Sequence, residues 1–163
     1  MDRILVIDDE YGPRESLRML LKHRYHIECV DSVDAGLQLM KVYRPDLVIL
    51  DIQMPERSGL DGLRAIRTID KEVAVVMLTA YSTLNRAQEA LRLDANDYIT
   101  KPFDIDDMQQ VIHRNIRESQ FRRKRTAASV ELHQQKRQLE RELNTARLMS
   151  SFQDADRMGV MSE

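Results

Sequence analysis

Short, mostly apolar runs alternate with helical patterns along the first two thirds of the chain, and that alternation most narrows what it can fold into. The runs occupy residues 4–7, 27–30, 47–50, 73–78 and 98–100. Leu47-Val48-Ile49-Leu50 and Val73-Ala74-Val75-Val76-Met77-Leu78 contain no polar residue. A strand with one face in water alternates apolar and polar; an unbroken apolar run of this length is a strand covered on both faces. Helical stripes fill the gaps. Gly12-Pro13 opens one with Leu17, Leu20 and Leu21 on a face. Asp31 or Ser32 caps a second, carrying Ala35, Leu37, Leu39, Met40 and Val42. A third spans 59–69 with Leu60, Leu63, Ile66 and Ile69 inward, and a fourth runs from about Thr83 to Leu93. Asp104 caps a fifth, with Asp107 as a capping-box-like partner and Ile105, Met108, Val111, Ile112 and Ile116 as the domain-facing stripe. Strand–helix alternation with right-handed crossovers predicts a doubly wound parallel sheet.

Such a sheet gathers the carboxyl ends of its strands on one edge, where open α/β folds hold their chemistry. Here that edge collects Asp8 and Asp9, followed by Glu10, from the first strand and Asp51 from the third. Thr79 ends the fourth and Lys101 the fifth. Taken singly, Asp8-Asp9 reads as a helix cap, Thr79 as a turn residue and Lys101 as a solvated lysine. Together they fall at the ends of four of the five strands. Clustered carboxylates need a compensating positive charge, and a hard divalent cation with oxygen ligands, Mg²⁺, suits a shallow wet site. A lysine and a hydroxyl beside that cation are equipment for a phosphoryl group. Asp51, alone at its strand end, is the candidate nucleophile, since aspartyl phosphate is an established covalent intermediate.

These residues, with Met54-Pro55, Gly59, Ala80, Tyr98 and Pro102-Phe103, give residues 1–118 a resemblance to the response-regulator receiver domain of two-component signalling. The resemblance implies a flavodoxin-like (βα)5 fold with strand order 2-1-3-4-5. It implies a phosphoacceptor module rather than a turnover enzyme, with Asp51 taking phosphate from a histidine kinase or phosphotransfer protein. Asp8, Asp9, Asp51 and the backbone carbonyl of Gln53 would hold Mg²⁺. Lys101 would bind the phosphoryl group, and the Lys101-Pro102 bond would be cis. Thr79 and Tyr98 would form the switch pair that remodels the face of the fourth helix, fifth strand and fifth helix. Gln53 and Tyr81 flank the site and are expected to tune phosphoryl hydrolysis. A dehalogenase-type phosphatase would need a second Asp two residues after the nucleophile, where this chain has Gln53. Nucleotide-binding motifs rich in glycine are absent from the strand ends.

Residues 119–163 are a different object. Residues 1–118 carry 21 acidic against 16 basic side chains, whereas 119–163 carry 6 against 9. No Gly or Pro interrupts 104–150, so the fifth helix is expected to extend into a coiled coil. Leu132, Leu139 and Ala146 repeat every seven residues with Leu143 between, while Ser129 and Lys136 take the alternate seam positions. This predicts a parallel dimer through roughly 125–150. Leu139-Glu140-Arg141-Glu142-Leu143 resembles helices that couple sensor modules to effectors. Residues 157–163 are similar to the approach to a kinase phosphoacceptor helix, though no kinase histidine is present, so an alternative is a receiver fragment of a larger protein such as a hybrid histidine kinase. Arg122-Arg123-Lys124-Arg125 supplies charge for non-specific nucleic-acid attraction at most, with no helix-turn-helix after it. His133 is expected to be a solvated coil position. No apolar run approaches membrane-spanning length and no signal peptide is evident, so the expectation is a cytoplasmic protein. The single cysteine, Cys29, sits in a strand and reads as an inert buried thiol.

Overall fold

The computed structural model describes residues 1–80 and 84–159. Strands and helices alternate throughout: β1 (Arg3–Ile7), α1 (Tyr11–Leu21), β2 (His26–Val30), α2 (Val33–Tyr43), β3 (Leu47–Asp51), α3 (Gly59–Ile69), β4 (Ala74–Ala80), α4 (Leu84–Arg92), β5 (Asp97–Lys101) and α5 (Ile105–Gly159). All strand pairs are parallel, in the order β2-β1-β3-β4-β5. This is the flavodoxin-like topology expected from the sequence. The expected start of α4, at about Thr83, lies outside the described residues.

The uniform apolar runs are explained by two cores, one on each face. Side chains of a strand point alternately to opposite faces. Leu5, Ile7, Val48, Leu50, Val75 and Met77 therefore pack on one side with Val33, Met40, Leu63 and Ile66. Ile4, Val6, Leu47, Ile49, Val76 and Leu78 pack on the other with Leu17, Leu21, Met108, Ile112 and Ile116. Three residues expected inward are exposed instead: Val42, Ile69 and Ile105. Each lies at or beside the end of its helix, where the apolar stripe runs off the packed layer.

Local chemistry sets the helix starts. Ser32 and Ser58 accept hydrogen bonds from the backbone N–H of Ala35 and Asp61, each at 3.2 Å. Asp104 accepts from the N–H groups of Asp106 and Asp107. Helix α1 departs from this pattern: its N-cap is Glu10, whose side chain makes no cap bond. The Lys101-Pro102 bond is cis, as expected. Cys29 is half-buried, and burial pushes its thiol up to about 11, which suppresses the reactive thiolate.

Packing divides the chain into two compact units, Met1–Arg122 and Arg123–Glu163. In the second unit Leu132, Leu139 and Leu143 are all more than half exposed, and His133 is exposed with Nδ1 2.7 Å from the Ser129 carbonyl oxygen. Among the described residues no helix is long and apolar enough to cross a membrane.

Candidate functional site

Strand register brings the site together. Ile7 pairs with Leu50 and Asp51 with Leu78, so Asp8 and Asp51, each following those β1 and β3 positions, emerge side by side. Thr79 pairs with Thr100 and Ala80 with Lys101, which delivers the remaining two residues to the same edge. Asp8 is fully buried, Asp51 and Thr79 nearly so, and Asp9 is exposed.

Lys101 is the hub. Its Nζ donates to Asp51 Oδ2 at 2.7 Å and to Asp8 Oδ2 at 3.1 Å. A third carboxylate oxygen, Glu10 Oε1, lies 3.7 Å from Nζ, an ion pair beyond hydrogen-bonding range. Burial raises the Asp51 carboxyl above the ordinary range, and it outweighs the opposing pull of the Lys101 hydrogen bond and the Gln53 N–H. Burial also works against the Lys101 charge, yet the bonds to Asp51 and Asp8 hold it above its usual value. One ammonium thus stabilises two carboxylates that would otherwise repel.

Carboxylate oxygens of Asp8, Asp9 and Asp51 can all lie within 4.8 Å of one another. Three hard oxygen donors, one of them open to water, are a donor set that fits Mg²⁺ keeping several water ligands. Gln53 donates its N–H to Asp51 Oδ1 at 3.0 Å, so its backbone is fixed beside the site. The Thr79 hydroxyl donates to the Ala80 carbonyl at 3.0 Å. Tyr98 stands 37% exposed, with its ring not enclosed in the core. Tyr81 lies outside the described residues.

Two supporting features were not assigned a role from sequence. Gly59 is required by close approach: a Cβ there would lie 2.0 Å from the Asp51 carbonyl oxygen and 2.8 Å from Ile52 Cα. Its N–H donates to the Ile52 carbonyl, docking the start of α3 against the carboxyl end of β3 that carries Asp51. Arg14 donates to the Asp8 carbonyl at 2.7 Å and lies over the Tyr11 ring, bracing the β1–α1 turn. The adjacent Asp8-Asp9-Glu10 triplet was a visible signal for Glu10; nothing comparable marks Arg14.

Residues 4–113 match the family described as the response regulator receiver domain. The chain is 35% identical over 116 residues to sporulation initiation phosphotransferase F of Bacillus subtilis, covering 68% of this chain and 90% of that protein. It is 35% identical over 115 residues to the regulatory protein AtoC of Escherichia coli, covering 70% of this chain but only 25% of the relative's length. Among solved structures, a response regulator receiver domain protein from Clostridium thermocellum superposes with a TM-score of 0.71 at 31% identity, covering 74% of this chain and 98% of the other.

Proposed function

The chain belongs to the response regulator receiver domain family, and from that premise we propose that Asp51 is its phosphoacceptor in a two-component phosphorelay. The observation that carries the reading is the Lys101 ammonium bridging Asp51 and Asp8, with Asp9 completing a three-carboxylate cluster. The donor is a histidine kinase or phosphotransfer protein in the cytoplasm. The Asp51 carboxylate attacks phosphorus, a P–O bond forms, and the P–N bond to histidine breaks with its electron pair leaving on nitrogen.

Asp8, Asp9, Asp51 and the Gln53 carbonyl would hold Mg²⁺, which supplies charge neutralisation for the phosphoryl oxygens. Lys101 exchanges its Asp51 contact for a phosphoryl oxygen, a point charge that needs only a small displacement. Thr79 turns its hydroxyl from the Ala80 carbonyl toward the phosphoryl group. Tyr98 then turns inward, which alters the face formed by α4, β5 and α5. The module assists its own phosphorylation and dephosphorylation and turns over no separate substrate. Labelling with acetyl phosphate tests this: the wild type takes up one phosphoryl group and Asp51→Asn none. Labelling that survives the substitution refutes it.

Residues 119–163 form the output segment beyond the receiver at 1–118. We read the exposed Leu132, Leu139 and Leu143, with Ala146, as the seam of a parallel two-stranded coiled coil. Light scattering should show a dimer for the full chain and a monomer for a 1–120 truncation; two monomers would sink the coil. The quarter-length overlap with AtoC supports a second reading, in which the same receiver is one piece of a longer regulator.

A further inference from the structure

We propose that Glu10 selects among phosphoryl donors, holding a negative charge at the mouth of the site that disfavours small dianionic donors. The inference rests on the phosphoacceptor reading of Asp51 above.

Two independent observations converge on Glu10. It occupies the N-cap of α1, a place where Ser, Thr, Asp or Asn normally satisfies free backbone N–H groups. Its backbone has the extended geometry of a cap, but its side chain makes no cap bond. The corresponding positions of α2 and α3 are filled by serines that do cap. A broken local rule with no local compensation marks a position selected for something else. The second observation is where the carboxylate goes: Oε1 lies 3.7 Å from Lys101 Nζ, on a side chain 63% exposed. Asp8 and Asp51 approach the same ammonium with side chains that are nearly or fully buried. Glu10 is therefore the solvent-facing member of the Lys101 cluster. Its backbone is held by donation from its N–H to Asp8 Oδ1 at 2.9 Å.

The consequence is electrostatic. A donor must bring its phosphoryl oxygens to Lys101, close to the Glu10 carboxylate. Acetyl phosphate arrives as a dianion. Phosphoramidate at neutral pH is a zwitterion with one net negative charge. With acetyl phosphate, Asp51 forms the P–O bond and acetate departs with the electron pair of the broken P–O bond. With phosphoramidate, the P–N bond breaks and neutral ammonia departs, its nitrogen already carrying the proton it needs. Both give the same aspartyl phosphate, so a difference between them reports the approach and departure of the donor. Repulsion at the mouth scales with donor charge and is screened by salt.

The test compares wild type with Glu10→Gln, a substitution of the same shape, using the full chain at saturating Mg²⁺. The second-order labelling rate is measured for each donor at low and high ionic strength. Expected is a rise of about three- to tenfold for acetyl phosphate at low salt, and a clearly smaller rise for phosphoramidate. The acetyl phosphate gain should shrink as salt increases. Equal rates for wild type and variant, or an equal acceleration of both donors indifferent to salt, overturns the proposal. Asp51→Asn runs alongside: if it still labels, the phosphoacceptor assignment itself has failed. If it is silent and the Glu10→Gln donor ratio is unmoved, only the role of Glu10 has failed.

Discussion

At the amino edge of the sheet Arg67 donates from every N–H of its guanidinium: to the carbonyls of Asp70 and Val73, twice to Asp94, and to Asn96 Oδ1. At the carboxyl edge Lys101, among the described residues, pairs with the carboxylate side chains of Asp51, Asp8 and Glu10. Both cations sit against the same buried sheet, but their partners differ in kind. Backbone carbonyls are fixed by the fold and cannot be exchanged, so Arg67 is a staple joining the ends of α3 and α4 to the start of β4. Carboxylates can bind a metal or accept a phosphoryl group, so on the proposed function the Lys101 cluster is a set of contacts to be redistributed. Burial works against the charge of each: it depresses the Arg67 guanidinium below its usual value, and at Lys101 it is outweighed by the carboxylates.

The sharpest way to break that contrast is to remove each cation in turn. Arg67→Ala takes a donor from the part-buried carbonyls of Asp70 and Val73 and from Asn96 Oδ1, and should lower stability by about 3–5 kcal/mol. The fraction that remains folded should label with acetyl phosphate within about twofold of wild type. Lys101→Ala should do the opposite, cutting labelling by roughly 100-fold or more while stability moves by only about 1–2 kcal/mol. Denaturant melts and initial labelling rates on the two variants decide it. If Arg67→Ala silences labelling at full occupancy of the fold, the division between staple and switch is wrong.

Gly59→Ala probes a point where the two roles meet. The added methyl would strike backbone atoms of Asp51 and Ile52, which cannot move aside as a flexible side chain would. A loss of about 2–3 kcal/mol is expected, together with slower phosphorylation because the end of β3 that carries Asp51 shifts. Normal labelling in a destabilised variant would show that this strand end tolerates displacement.

The carboxyl edge was legible in the sequence because its residues stand one after another at the ends of apolar runs. Strand ends converge by topology, so Asp8, Asp51, Thr79 and Lys101 could be grouped before any distance was known. The amino edge was not legible. Arg67 lies inside a helical stripe, and apart from Asn96 Oδ1 its partners named above are backbone carbonyls, which carry no residue identity. Glu10 was visible as a third acid, but its uncapped geometry depends on where a flexible side chain turns. Val42, Ile69 and Ile105 were misplaced for a related reason: an apolar stripe gives the direction of a face and not the point where the neighbouring layer stops. The seven-residue spacing of Leu132, Leu139 and Ala146 is readable as a period in the sequence, and the structure leaves Leu132 and Leu139 more than half exposed.

The smallest expected effect concerns the state of Asp51 itself. Burial raises its carboxyl above the value it has in the unfolded chain. A group with a raised folded value contributes stability that is fully present below the unfolded value and is lost as pH rises through the folded one. Once pH exceeds the folded value, the ionised, buried Asp51 is therefore a net cost. Asp51→Asn removes that charge while leaving Lys101 paired to Asp8, and should stabilise the metal-free protein by about 1–2 kcal/mol at pH 7. The advantage should narrow as pH falls into the carboxylate range, where wild type protonates the same group. Adding Mg²⁺ should narrow that lead, because a ligand that binds only the folded state stabilises by about 1.4 kcal/mol at ten times its dissociation constant. Wild type gains that increment, whereas the Asn variant, lacking one anionic ligand, gains less. Thermal melts of both proteins at pH 4.5 and 7, with and without Mg²⁺, measure all of these differences. An Asn variant less stable than wild type without metal at pH 7 would mean that the Lys101 bridge outweighs the burial of Asp51, making the carboxyl edge a staple like the amino one.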